Sequence, residues 1–211
     1  MKLDSRRAVT AQVEFFFSPA SRYSYLAATQ IAGLERETGC SVVWRPVHGS
    51  EIRRLRGRDP FHGPALSGQY EHAYRASDAE AWAALYGVPF REPREFHFDY
   101  ELLVRGAVAG QSLGCGPDLL LSIADAVFGS GRWPLDESLL AELAEAHDLA
   151  RDPFVAAVRS DRTAEALAET AREAFERGAF GVPTFFIGSR MFWGNDRLAL
   201  VRHALVTERK A

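Results

Sequence analysis

Two serines three residues apart, Ser21 and Ser24, follow the short aromatic run Val13-Glu14-Phe15-Phe16-Phe17 and open a segment with helical periodicity. The first turn of a helix has unpaired N–H groups and a partial positive charge, so it favours anions. Ser21 can therefore cap the helix, or its hydroxyl can stabilise a bound thiolate. Near the other end, Gly181-Val182-Pro183-Thr184 leads into the apolar run Phe185-Phe186-Ile187. A proline between a small bend and a β-branched residue, at the mouth of a buried strand, is a setting for a cis X–Pro bond. Such a bond would keep the Val182 N–H and C=O out of a regular ladder, free to pair with an extended ligand. A tight strand entry without a ligand is the competing reading.

The thiols do not join this pattern. Cys40 and Cys115 are the two cysteines, and neither belongs to a Cys-x-x-Cys pair. A disulfide oxidoreductase needs a low-pKa thiolate at the helix start and a resolving cysteine three residues on; here serine holds both places. The six histidines show no metal-ligand spacing, so no metal site is expected. Phosphate-loop, nucleophile-elbow and dinucleotide fingerprints are absent. Net charge is −3 with mixed signs, which gives no basic field for nucleic acid. No apolar run approaches the ~20 residues of a membrane span. Met1-Lys2-Leu3-Asp4-Ser5-Arg6-Arg7 lacks a secretory apolar core, and nothing requires an oxidising compartment, so a cytoplasmic location is expected.

The elements that must position these groups are readable in outline. Residues 13–17 and 41–47 read as strands around a helix over 23–38 that stops at Gly39, a βαβ unit with a parallel pair. Residues 48–64 read as an arginine-rich loop and 65–86 as a helix ended by Gly87-Val88-Pro89. Helices are expected near 100–112, 117–130, 136–147, 151–159 and 162–177. Short strands then follow on both sides of Gly188-Ser189-Arg190, and a last helix starts near Asn195-Asp196. A long helical block thus separates two strand regions that must share a sheet. The expected architecture is an α/β thioredoxin-like domain, residues 10–50 and 180–211, interrupted by an all-helical insertion, residues 51–179.

The order strand, Ser-x-x-Ser-Tyr-Leu-Ala, helix, then distant Gly-Val-Pro-Thr and Phe-Trp-Gly-Asn-Asp-Arg-Leu resembles the 2-hydroxychromene-2-carboxylate isomerases. These are grouped with the kappa-class glutathione transferases on the DsbA-like variant of the thioredoxin fold. A third match lies between, Tyr74-x-x-x-Asp78-x-x-x-Trp82-Ala83-x-x-Tyr86-Gly87-Val88-Pro89. The resemblance implies glutathione as cofactor, a small-molecule substrate and a homodimer. It places Ser21 at the hydroxyl that holds the glutathione sulfur as thiolate and Ser24 at the second serine. Ser18-Pro19 offers an alternative register. Arg22 departs from the proline usual there, and an arginine at a helix start invites a compensating anion.

By the same resemblance, Val182 would pair with the cysteinyl backbone of glutathione, and Trp193-Gly194-Asn195-Asp196 would receive its γ-glutamyl end. Helix-start N–H groups can hold the α-carboxylate while Asp196 pairs with the ammonium, although Asn and Asp are also ordinary N-caps. Arg53 falls where these isomerases place a lysine facing the substrate carboxylate. Ala65-Leu66, Glu71 and Phe96 replace polar or aromatic partners and make the acceptor pocket more apolar. Three functions follow: an isomerase using reversible thiolate addition, a kappa-type transferase that releases the adduct, and a non-catalytic binding protein with a relict site. The isomerase is preferred.

Overall fold

The computed structural model describes residues 11–57, 67–93 and 98–208. Strand β1 (Gln12–Phe17) is central, paired with a strand on each side and carrying buried phenylalanines on both faces. Side chains alternate sides along a strand. Val13, Phe15 and Phe17 therefore enter one core and Phe16 the other. Parallel to β1 lies β2 (Ser41–Pro46), with Phe15 opposite Trp44. Antiparallel on the other side lies β3 (Thr184–Ile187), followed by edge strand β4 (Arg190–Trp193), in the order β2-β1-β3-β4. The Phe15 and Phe185 rings stack at 4.7 Å, and Trp44 meets Phe15 edge-on at 5.0 Å. Each such pair adds about 0.5–1.5 kcal/mol to burial.

Between β1 and β2 run α1 (Arg22–Ala28) and α2 (Ile31–Thr38). The single helix expected over 23–38 is thus broken at Thr29-Gln30, where the Thr29 hydroxyl donates to the Leu26 carbonyl at 2.7 Å. After β2 comes α3 (Gly49–Leu55), a helix where a loop was expected. Then follow α4 (His72–Tyr86), α5 (Tyr100–Ser112), α6 (Pro117–Phe128), α7 (Glu137–Glu145), α8 (Arg151–Arg159) and α9 (Asp161–Glu176). Where the expected helix continues past 67, the described residues form a 3₁₀ turn, Gly68–Tyr70, and α4 begins at His72. Residues Ala65, Leu66 and Phe96 lie outside the described residues.

The helical block is not all remote from the sheet. Ile52 of α3 and Ala171 and Ala174 of α9 pack with Phe16 and Phe186 on one sheet face. Ile31 and Leu34 of α2 share the other core with Val201 and Leu205 of α10 (Leu198–Glu208). Asn195–Arg197 forms a 3₁₀ turn ahead of α10, so the last helix starts later than expected.

Strand directions decide where the candidate residues meet. β1 and β2 are parallel, so Phe17 and Pro46 end at the same edge. β3 is antiparallel and starts there, with Thr184 beside Phe16, and β4 returns to it, with Trp193 beside Thr184. Ser18, Val47, Pro183 and Gly194 are therefore neighbours of one sheet edge although up to 176 residues apart in sequence.

Candidate active site

Ser21 is the N-cap of α1, in extended backbone, and its Oγ accepts from the Ser24 N–H at 3.3 Å. Capping and ligand binding are not exclusive for a hydroxyl, which has two lone pairs and one proton. Among the described residues the Ser21 O–H has no acceptor, and the side chain is partly exposed at the sheet edge. That proton is free for an incoming anion.

The other two serines are placed differently. Ser24 is fully buried and its Oγ accepts from the Ser18 N–H at 3.3 Å. This corrects the expectation of a ligand contact: Ser24 ties the β1–α1 loop together and cannot reach solvent. Ser18 is 4% exposed, which removes the alternative register on accessibility. Its carbonyl accepts from the Ser21 N–H at 3.0 Å.

Arg22 does not face an empty anion site. Its guanidinium, 6% exposed, meets Glu92 Oε1 at 2.6 Å. Burial draws Arg22 below its ordinary value, opposed by Glu92, and burial raises the Glu92 carboxyl, opposed by Arg22 and Arg75. Tyr23 Oη donates to Asp78 at 2.8 Å, and Tyr25 Oη to the Pro89 carbonyl at 2.8 Å. The middle sequence motif thus braces α1, since Asp78 and Pro89 both belong to it.

The Val182–Pro183 peptide bond is cis. Thr184 Oγ1 donates to the Gly181 carbonyl at 2.7 Å, and Gly194 N–H donates to the Pro183 carbonyl at 2.9 Å. Between them, no backbone bond engages Val182 among the described residues, which leaves an N–H and a C=O for a strand-like partner. Trp193 is 41% exposed, lies against Phe180 at 4.8 Å, and has its Nε1 3.0 Å from where a Gly181 Cβ would stand. Gly194 has φ +110°, a conformation that favours glycine. Asn195 is buried, yet its Nδ2 lacks a hydrogen-bond partner among the described residues. Its carbonyl accepts from Tyr86 Oη at 3.2 Å. Asp196 is exposed and pairs with Arg197 at 2.8 Å. The Asn195–Arg197 turn touches α1, so this stretch and the Ser21 helix adjoin.

Arg53 lies on α3, where its Nη2 donates to Ser50 Oγ at 2.8 Å. A Cβ on Gly49 would stand 3.1 Å from Val182 Cγ2 and 3.4 Å from Arg53 Nη1. The bare glycine therefore lets the Pro183 turn and the arginine approach each other. Arg53 also lines a cavity of about 620 Å³ with His48, Ser50, Glu51, Glu101 and Leu167. Ser21 and Val182 are not in its wall, so the cavity borders the Pro183 turn and does not contain it. Sequence reading missed Glu92 as the Arg22 partner and His48 as a cavity residue. The Arg22 charge was the signal for the first; nothing in the sequence marked the second.

A mixed four-stranded sheet with a cis-proline turn and a capped helix start at the same edge defines a thioredoxin-fold site. The chain belongs to the DsbA-like thioredoxin family: the family model described as DSBA-like thioredoxin domain matches residues 12–206. Within that group it falls with the 2-hydroxychromene-2-carboxylate isomerases. It is 30% identical over 203 residues to the enzyme of that name from Sphingobium xenophagum, covering 94% of this chain and 100% of the relative. It is 31% identical over 196 residues to that of Pseudomonas sp. (strain C18), covering 92% and 89%. A solved 2-hydroxychromene-2-carboxylate isomerase superposes with a TM-score of 0.79 at 28% identity, covering 94% and 96%. A cytosolic disulfide reductase from Pseudomonas aeruginosa shares the fold at TM-score 0.65 and 20% identity.

Proposed function

We propose that the protein is a glutathione-dependent isomerase of a conjugated, carboxylate-bearing substrate resembling 2-hydroxychromene-2-carboxylate. The observation that carries this reading is the Ser21 hydroxyl, which caps α1 with a lone pair and keeps its proton unengaged at the sheet edge. The neighbouring groups fit a tripeptide: the Val182 main chain suits its extended backbone, and the orphaned Asn195 Nδ2 suits an acceptor at one end. Asp196, Gly194 and Trp193 would complete that end, with Asp196 taking the ammonium.

Bound glutathione would supply a thiolate that adds reversibly to the conjugated system, so that a double bond becomes single, turns and is restored. The protein's part is electrostatic and positional. A free thiol has a pKa near ~8.5, so little is ionised at neutral pH. The Ser21 O–H donates to the charged form and lowers that value. Arg53 would hold the substrate carboxylate, its fork already oriented by Ser50. A homodimer and a cytoplasmic setting belong to the same reading.

The test is turnover of 2-hydroxychromene-2-carboxylate with and without glutathione, with mass balance on the tripeptide. Isomer formed with all glutathione recovered supports the reading; a stable conjugate would make the protein a transferase, and no turnover would refute the enzymatic reading.

A further inference from the structure

His48 is a largely enclosed titratable group to which the reading above gives no task. It stands at the N-cap of α3, yet its ring makes no capping bond, and among the described residues no other hydrogen bond engages the ring. It lines the 620 Å³ cavity with Ser50 and Arg53 of its own helix, Glu101 of α5 and Leu167 of α9. The charged groups around it are Glu51 and Arg53 on α3, Glu101 on α5 and the α5 cap Asp99. Burial outweighs their influence and holds the imidazole below its ordinary value. At neutral pH such a ring is uncharged, with one nitrogen to donate and one to accept.

We propose that His48 is a catalytic residue that moves the proton in the ring-opening part of the isomerisation, an inference that rests on the isomerase reading. A 2-hydroxychromene-2-carboxylate carries hydroxyl, carboxylate and ring oxygen on one carbon. A carboxylate held by Arg53 therefore brings that hydroxyl to the cavity wall that His48 shares. The conjugated ketone that a thiolate can attack exists only once the ring is open. In opening, the imidazole takes the hydroxyl proton and the O–H electron pair becomes the second bond of the ketone. The bond from that carbon to the ring oxygen breaks, and its electron pair stays on the phenolic oxygen. That oxygen takes the proton from the imidazolium, so His48 ends as it began and no other reagent is consumed.

The experiment compares the wild type, His48→Gln and His48→Ala with the chromene substrate at saturating glutathione, between about pH 5 and pH 9. Wild-type kcat/KM falls by one proton where the bound thiol protonates and by a second, separate acid limb as pH drops through the His48 value, because the protonated ring no longer accepts. The Gln variant loses about 100-fold in kcat/KM and loses that acid limb. Calorimetric glutathione affinity is unchanged, and added imidazole restores part of the Ala variant's rate. A Gln variant within about threefold of wild type, with the acid limb retained, overturns the assignment and leaves the isomerase reading standing. A loss of rate with the limb retained and no imidazole rescue marks a structural role and overturns it equally. An inactive wild type removes both proposals.

Discussion

Ser21 and Ser160 do the same local job at two distant helix starts. Each is an N-cap in extended backbone, and each accepts from the N–H three residues on, Ser24 at 3.3 Å and Thr163 at 3.2 Å. Their protons differ. Ser160 donates to the Ala157 carbonyl at 2.8 Å and contacts Thr163 Oγ1 at 3.2 Å, so its bonding capacity is filled within the protein. Ser21 has no such acceptor among the described residues. A capping motif is silent about function; the destination of the hydroxyl proton distinguishes a structural serine from one available to a ligand. The start of α1 is also held by a buried ion pair, Arg22–Glu92, whereas α9 begins with exposed Asp161.

Glu92→Ala leaves Arg22 buried without its carboxylate and lowers stability by about 3–5 kcal/mol, read by denaturant unfolding. The pH dependence has a definite sign. Burial raises the Glu92 carboxyl, so its favourable contribution is full below the ordinary carboxylate value and is lost as pH rises through the folded-state value. Glu92→Gln removes that slope. Ser21→Ala reduces turnover by about 10²–10³-fold, the scale of a lost donor to developing charge, with about 1 kcal/mol of stability lost with the cap. Arg53→Ala raises KM for a carboxylate substrate about tenfold and leaves glutathione affinity unchanged, since a charged hydrogen bond is worth about 1.5–3 kcal/mol. Ser160→Ala sharpens the contrast: it loses about 1 kcal/mol in thermal unfolding and leaves turnover at the wild-type level.

Legibility in the sequence followed the physics of each element. The strands were readable because the apolar residues of Val13–Phe17 (all but Glu14) and of Phe185–Ile187 are buried on both faces and bounded by turn residues. Asp136 announced α7 by the cap it makes to Leu139 N–H at 3.0 Å. By contrast, α3 is seven residues long, is rich in arginine, buries chiefly Ile52, and has no side-chain cap, so it carried no helical signature. The break at Thr29-Gln30 was hidden because apolar periodicity continues across it from Tyr25 and Ala28 to Ile31 and Leu34. Spacing alone put Ser24 beside Ser21 as a ligand group, and only packing shows that it points into the loop behind. Arg22 was marked as needing an anion, but Glu92 lies 70 residues away and no local pattern names it.

The most direct measurement is the ultraviolet titration of the glutathione thiol bound to wild type and to Ser21→Ala. The expected result is a bound thiol that ionises at least about one pKa unit below the free value near ~8.5, and a return toward that value in the variant. A bound thiol that titrates at the free value in the wild type, or identically in both proteins, would contradict it.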